Sequence, residues 1–114
     1  MATETSYKIN KSVEDTVLQF GRYLIQHGTP ISKLVIFGSY AKNNAHKYSD
    51  IDVCVVSPKF GKDPVDEMQY LFKQRRNVDS SIEPYPASLE AYEELESPII
   101  WEIRKYGKEI TALL

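Results

Sequence analysis

The sequence contains a single cysteine, Cys54, so no disulfide bond can form within the chain. Cys54 lies in the apolar run of residues 51–56, where we expect it to pack as a small hydrophobic side chain. The first twelve residues lack the apolar core of a signal peptide. No stretch approaches the roughly 18 consecutive apolar residues that a membrane-spanning helix needs. These absences predict a cytoplasmic protein.

Two further absences narrow the class of ligand. The chain has 14 basic and 16 acidic residues, so it lacks the basic excess of a protein that binds duplex nucleic acid. Nucleic acid is therefore disfavoured as the main ligand. Only two histidines are present, His27 at a predicted helix end and His46 in a polar loop, and this placement argues against a zinc site.

Length and composition indicate one globular domain over residues 1–114. The hydrophobic fraction is 42% and the charged fraction 26%, which is ordinary for a folded domain and too apolar for a disordered chain. Hydrophobic spacing and turn residues predict the order helix, strand, short helix, strand, helix, strand, helix, helix. This order predicts an α/β fold in which helices cover most of a sheet.

The first elements have clear start and stop signals. The first helix is expected to begin at an N-capping Ser12 and to end before Gly28. A continuous apolar run at 33–38 predicts a strand that is covered on both faces, and a β-rich run at 51–56 predicts a second strand.

The later helices are marked by prolines and serines. A helix is expected from Pro64, and two more follow the last strand, capped by Ser88 and Ser97. The end of the Pro64 helix is basic, and we expect its side chains to be solvated: Lys73, Arg75 and Arg76.

The segment 38–52, GSYAKNNAHKYSDID, is the most informative part of the chain. Gly38 allows a sharp turn off the preceding strand and a close approach of ligand to backbone, because it has no Cβ. If residues 40–43 begin a helix, Ser39 is its N-cap, and free N–H groups with the serine hydroxyl could bind phosphate oxygens. The alternative is an ordinary turn between a strand and a helix.

Asp50 and Asp52 stand one residue apart at the start of the second strand. In an extended chain both side chains point to the same face. Two like charges at ~4 Å repel by about 1 kcal/mol in water and about 4 kcal/mol near a protein surface, so the pair favours a bound cation. Oxygen ligands suit Mg²⁺ or Mn²⁺, with substrate phosphates completing the shell. The alternative is an aspartate cap in a polar turn.

A metal site for phosphoryl transfer often takes a third carboxylate from a neighbouring strand. A third strand is expected within residues 77–86, ending at Pro84 and Pro86. It offers Asp79 and Glu83, which share one face. We favour Glu83, which lies nearer the end of the strand, and leave Asp79 as a structural alternative.

These residues resemble the minimal nucleotidyltransferase family, within the DNA polymerase β-like nucleotidyltransferase superfamily. Its signature is a Gly-Ser turn, a short helix and D-x-D, with a further acidic residue on a later strand. Gly38, Ser39, Asp50 and Asp52 match it position by position, and the resemblance covers about residues 30–110.

The resemblance implies a single-domain nucleotidyltransferase fold with a small mixed sheet of three or four strands and helices mainly on one face. An N-terminal helix would precede the core. Two positions depart from the pattern. Asn43 stands where the family usually has a second glycine, although asparagine also enters the left-handed backbone region. Glu83 stands where the family has an aspartate.

The resemblance also implies an activity, the Mg²⁺- or Mn²⁺-dependent transfer of a nucleoside monophosphate, AMP foremost, from ATP or another nucleoside triphosphate. The acceptor would be a hydroxyl or a phosphate. By analogy Asp50, Asp52 and Glu83 are metal-binding and catalytic, and Gly38 and Ser39 bind the triphosphate.

Two lysines flank the same loop. Lys42 is expected to contact the nucleotide phosphates, and Lys47 could do the same. Both residues also fit the alternative of solvated surface lysines.

Small members of this family pair with helical toxins in toxin–antitoxin systems, and some add adenylate to a toxin tyrosine. A helical toxin is therefore the expected protein partner, and a homo-oligomer is possible. Four aromatic residues in the C-terminal third could contribute to such a contact: Tyr85, Tyr92, Trp101 and Tyr106. The alternative function is a non-catalytic antitoxin that neutralises its partner by complex formation.

Overall fold

The computed structural model describes residues 9–46 and 49–114, so Lys47 lies outside the described residues. The elements in chain order are α1 (Lys11–Gln26), β1 (Lys33–Phe37), β2 (Ile51–Val56), α2 (Pro64–Arg75), β3 (Ile82–Ala87), α3 (Leu89–Glu93), α4 (Pro98–Tyr106) and β4 (Lys108–Glu109), followed by a 3₁₀ turn at Thr111–Leu113.

The four strands form one mixed sheet in the order β3-β2-β1-β4. β1 is antiparallel to both β2 and β4, whereas β2 and β3 are parallel. The start of β2 therefore lies beside the end of β1 and the start of β3. Asp52 is in register with Phe37 on one side and Glu83 on the other. The predicted mixed sheet of an α/β fold is confirmed.

Helices cover both faces of the sheet, because strand residues alternate between two hydrophobic clusters. The two longer helices, α1 and α2, lie on one face, in line with the prediction of helices mainly on one face, and the shorter α3 and α4 cover the other face. One cluster joins α1 and α2 to one set of strand residues: Leu34, Ile36, Ile51, Val53, Val55 and Ile82. The other joins α3 and α4 to the alternate set: Val35, Phe37, Cys54, Val56 and Ala87.

Capping side chains fix where the helices begin. Ser88 and Ser97 cap α3 and α4 as predicted, and Asp63 caps α2 immediately before Pro64. For α1 the prediction of Ser12 is wrong by two residues. The cap is Asn10, whose Oδ1 accepts a hydrogen bond from the Ser12 N–H at 2.8 Å.

β3 continues through Pro84 and Pro86, although these prolines were predicted to stop it. The reason is its position at the edge of the sheet. The carbonyls of Ser81 and Ala87 accept hydrogen bonds from β2 and its flank, so odd-numbered residues face β2. The prolines face the open edge, where a missing N–H breaks no hydrogen bond of the ladder.

Cys54 is fully buried in the α3/α4 cluster, as its apolar surroundings predicted. Burial raises the pKa of its thiol to about 12, so it stays protonated and unreactive at neutral pH. Among the described residues, every helix is too short or too polar to cross a membrane.

Candidate functional site

Three carboxylates come together where β2 and β3 begin, and we call Asp50, Asp52 and Glu83 the rim carboxylates. Asp52 and Glu83 are partners in the parallel register, and Asp50 precedes β2 by one residue. All three side chains belong to the strand face that α3 and α4 cover, because they share the parity of Cys54 and Ala87. The structure thus places the predicted D-x-D pair beside the predicted Glu83.

Gly38 closes the site from the β1 side. Its φ is +72°, a conformation that L side chains rarely adopt. A Cβ added at this position would lie 2.1 Å from Oδ2 of Asp52. Residue 38 therefore favours glycine for two reasons: the backbone conformation of the turn and the close approach of the Asp52 carboxylate.

Two of the rim carboxylates, Asp52 and Glu83, have a raised pKa. Burial raises the pKa of Asp52 to about 6, and the charges of Glu83 and Asp50 add to this effect. Burial also raises the pKa of Glu83, followed by a hydrogen bond and the charge of Asp50, while the positive charge of Arg75 lowers it. The site therefore concentrates negative charge that a bound cation would stabilise.

The donor chemistry of this site fits Mg²⁺ or Mn²⁺, which prefer carboxylate oxygens. As they stand, however, no three His, Cys, Asp or Glu side chains within residues 9–46 and 49–114 are arranged to hold a metal ion. Besides burial, the charge of Asp50 is among the causes that raise the pKa of Glu83, so these two carboxylates lie near each other. Binding a cation requires these side chains to turn toward it.

The Gly-Ser segment forms successive turns, not the short helix that was predicted. The N–H groups of Ala41 and Lys42 both donate to the Gly38 carbonyl at 3.1 Å, and the Asn44 N–H donates to the Ser39 carbonyl at 3.0 Å. Asn43 has φ of 58°, so it takes the left-handed conformation that its replacement of glycine requires. Ser39 is half-buried beside Gly38, and it does not cap a helix.

Lys42 is engaged by α4. Its ammonium lies 3.4 Å from Oε2 of Glu102 and 4.8 Å from the centre of the Tyr106 ring. Contact of Lys42 with nucleotide would have to compete with both groups.

Asp79 has a structural role. Its Oδ1 accepts hydrogen bonds from the N–H and the hydroxyl of Ser81, at 2.8 and 2.5 Å. These bonds shape the turn that leads into β3, whereas Glu83 lies in register with Asp52.

Arg75 is part of the site's surroundings, although a basic helix end predicted a solvated side chain. Its Nη1 donates to the carbonyl of Ile82, the residue before Glu83, at 2.8 Å. Only the fold brings α2 against β3, and no local pattern in the sequence could have singled out Arg75 from Lys73 and Arg76.

Comparisons with known proteins agree with this architecture. The family model described as a nucleotidyltransferase domain matches residues 19–112. No curated protein matches the sequence.

Two solved structures are similar to the chain. One is of a protein from Sulfolobus solfataricus assigned as a nucleotidyltransferase, with 15% identity and a TM-score of 0.48 over 78% of this chain and 85% of that chain. The other, a toxin–antitoxin structure with AMP-PNP, has 17% identity and a TM-score of 0.50 over 84% of this chain and 70% of that chain. At these identities the likeness concerns the fold alone.

Proposed function

We propose that the chain, which belongs to the nucleotidyltransferase domain family, transfers a nucleoside monophosphate from a nucleoside triphosphate to an acceptor, with Mg²⁺ or Mn²⁺ as cofactor. The observation that carries this proposal is the convergence of the rim carboxylates under Gly38. Among the residues that the structure describes, no basic side chain forms a salt bridge with these carboxylates. A cation is the partner that such a group requires.

Each predicted residue has a role in this proposal. Asp50 and Asp52 would hold the divalent ions, and Glu83 would complete the set on the acceptor side. When bound, the ions neutralise triphosphate charge and polarise the attacking oxygen. Gly38 lets the triphosphate approach the backbone, and the Ser39 hydroxyl donates to a phosphate oxygen.

The reaction is an in-line displacement at the α-phosphorus. The acceptor oxygen forms a new bond to that phosphorus, the bond to the bridging oxygen of the β-phosphate breaks, and pyrophosphate leaves with the electron pair. Glu83 takes the proton of the acceptor hydroxyl. Its raised pKa makes it a stronger base than an ordinary glutamate, which suits this role near neutral pH.

ATP is the first candidate substrate, with AMP as the group transferred, because the toxin–antitoxin structure of similar fold contains AMP-PNP, an ATP analogue. Lys42 would contribute to triphosphate binding after leaving Glu102.

The acceptor would belong to a helical toxin-type protein. Support comes from exposed apolar side chains in and before α4: Leu95, Ile99, Trp101 and Tyr106. Trp101 is 48% exposed and Tyr106 42%, and exposed aromatic side chains are enriched at protein interfaces. The same surface favours the second candidate function, a non-catalytic antitoxin that neutralises its partner by forming a complex.

The test is transfer of label from each α-labelled triphosphate, with Mg²⁺, to the helical product of an adjacent gene. The double variant Asp50→Asn plus Asp52→Asn should lose transfer by about 10³-fold or more and remain folded. Asp15→Asn, which changes an exposed aspartate on α1, serves as the control and should retain full activity.

Transfer by the double variant at the wild-type rate would refute the catalytic proposal. Neutralisation of a co-expressed partner by the inactive double variant would favour the non-catalytic antitoxin.

A further inference from the structure

Arg75, the last residue of α2, makes two contacts that hold its guanidinium against β3. Its Nη1 donates to the Ile82 carbonyl at 2.8 Å, and its Cζ lies 4.5 Å from the centre of the Phe72 ring. The guanidinium is therefore fixed at both its polar end and its flat face.

The Ile82 carbonyl faces the open edge of the sheet. β3 is an edge strand, and its even-numbered residues face away from β2. Two of these outward positions are Pro84 and Pro86, which have no N–H to offer another group. Arg75 thus ties the open edge to α2 at the residue that precedes Glu83.

Keeping an arginine at this place has a cost. Its Nε is buried and finds no hydrogen-bond partner among the described residues. A buried donor on a charged group without a partner is unfavourable, and an apolar or lysine side chain would avoid it. The contacts that offset this cost are the hydrogen bond from Nη1 to β3 and the packing of the guanidinium on Phe72.

We infer that Arg75 is a positioning residue for the proposed transfer reaction: it fixes the strand segment that presents Glu83 to Asp52 without touching substrate. The inference rests on the proposed function of the rim carboxylates. The parallel register of β2 and β3 places Glu83 opposite Asp52. The hydrogen bond from Arg75 to Ile82 keeps the edge strand β3 in that register.

The first experiment needs no nucleotide. Amide hydrogen exchange is compared between wild type, Arg75→Gln and Arg76→Gln, whose arginine is exposed at the same helix end. Arg75→Gln should speed exchange at the β3 amides of Glu83 and Tyr85 by about tenfold or more and leave the β1 amides unchanged. Arg76→Gln should match wild type throughout.

The second experiment is a double-mutant cycle on transfer. Arg75→Gln should lower kcat by about 10- to 100-fold and change KM for ATP by less than about twofold, as positioning groups behind metal ligands do. In the Glu83→Gln background the same change should cost less than about twofold, because the group to be positioned is absent. Arg75→Lys, which keeps the charge and loses the fork, should fall between wild type and Arg75→Gln.

The inference would be overturned if Arg75→Gln left amide exchange in β3 unchanged. It would also be overturned if the kcat loss from Arg75→Gln were as large in the Glu83→Gln background as in wild type. If wild type transfers no nucleotide, the proposed function fails, and the exchange data alone then decide whether Arg75 holds β3.

Discussion

One group of three carboxylates lies at the start of β2 and another follows its end. The two groups differ in the hydrogen-bond donors that surround them. The rim carboxylates stand at the start of β2. The α2 carboxylates, Asp63, Asp66 and Glu67, follow its end. Glu67 accepts hydrogen bonds from the N–H groups of three consecutive residues, 61 to 63, at 2.9, 3.0 and 3.1 Å. The backbone thus supplies Glu67 with three donors, whereas the rim carboxylates accept no hydrogen bond from a backbone N–H of the described residues.

The difference appears in their acidities. Although burial opposes it, the three backbone donors lower the pKa of Glu67. By contrast, the pKa of Asp52 rises to about 6, because burial and two neighbouring carboxylates disfavour its charge. Asp66 is fully exposed, and the charge of Asp63 raises its pKa. The α2 group is therefore stabilised by the backbone, whereas the rim group is the one to which the proposed function assigns a cation.

The largest stability effect is expected at Gly38. Gly38→Ala should lower the free energy of unfolding by about 3 kcal/mol, from left-handed backbone strain and from the clash with Asp52. Gly28→Ala is a matched control, since Gly28 has φ of +95° with nothing within 4 Å of an added Cβ. It should cost only the strain, about 1 kcal/mol. Urea denaturation measures the free energy of unfolding of both variants. Equal losses in the two would show that a side chain at residue 38 does not clash with Asp52.

A smaller effect is expected at the α2 carboxylates. Glu67→Gln should lower the free energy of unfolding by about 1–2 kcal/mol, because an amide oxygen replaces a charged acceptor of three backbone N–H groups. Transfer activity should not change. Glu94→Gln, at an exposed glutamate, is the control and should leave stability unaltered. Loss of transfer in Glu67→Gln with an intact fold would mean that the two acidic groups are not functionally separate.

The smallest effect concerns pH. In metal-free buffer the wild type should lose stability as pH rises from about 4 to about 6, because Asp52 ionises less readily when folded than at its ordinary value of 3.8. Without solvent screening, this pKa shift would correspond to a stability loss of about 3 kcal/mol. Because the Asp52 carboxyl is half-exposed, screening reduces the loss to about 1 kcal/mol.

Asp52→Asn removes this penalty. The variant should therefore be about 1 kcal/mol more stable than wild type at pH 7.5 and equal to it at pH 4, by urea denaturation in the presence of a chelator. A variant less stable than wild type at pH 7.5 would contradict the assigned environment.

Much of the fold could be predicted from local signals. The bounds of β2, residues 51–56, and the serine caps of α3 and α4 follow from apolar runs and capping chemistry. β4, with two residues, is too short for any periodic pattern, and it is defined by its pairing with β1. The prediction that Pro84 and Pro86 end β3 is wrong, because a strand's place at the edge or centre of the sheet is decided by tertiary pairing.

The site was predictable to the extent that it depends on spacing. Asp50 and Asp52 share a face by the alternation of an extended chain, and a parallel register then brings Glu83 to Asp52. Neither the contact of Gly38 with Asp52 nor the bond from Arg75 to Ile82 has a local signature. Both depend on strands and helices that meet only in the folded chain.

The most direct test of the rim as a cation site is titration calorimetry with Mg²⁺ and a non-hydrolysable ATP analogue. Wild type should show saturable heat for one site that requires both components, and the double variant Asp50→Asn plus Asp52→Asn should show none. Absence of heat with folded wild type, or equal heat with the variant, would contradict the account.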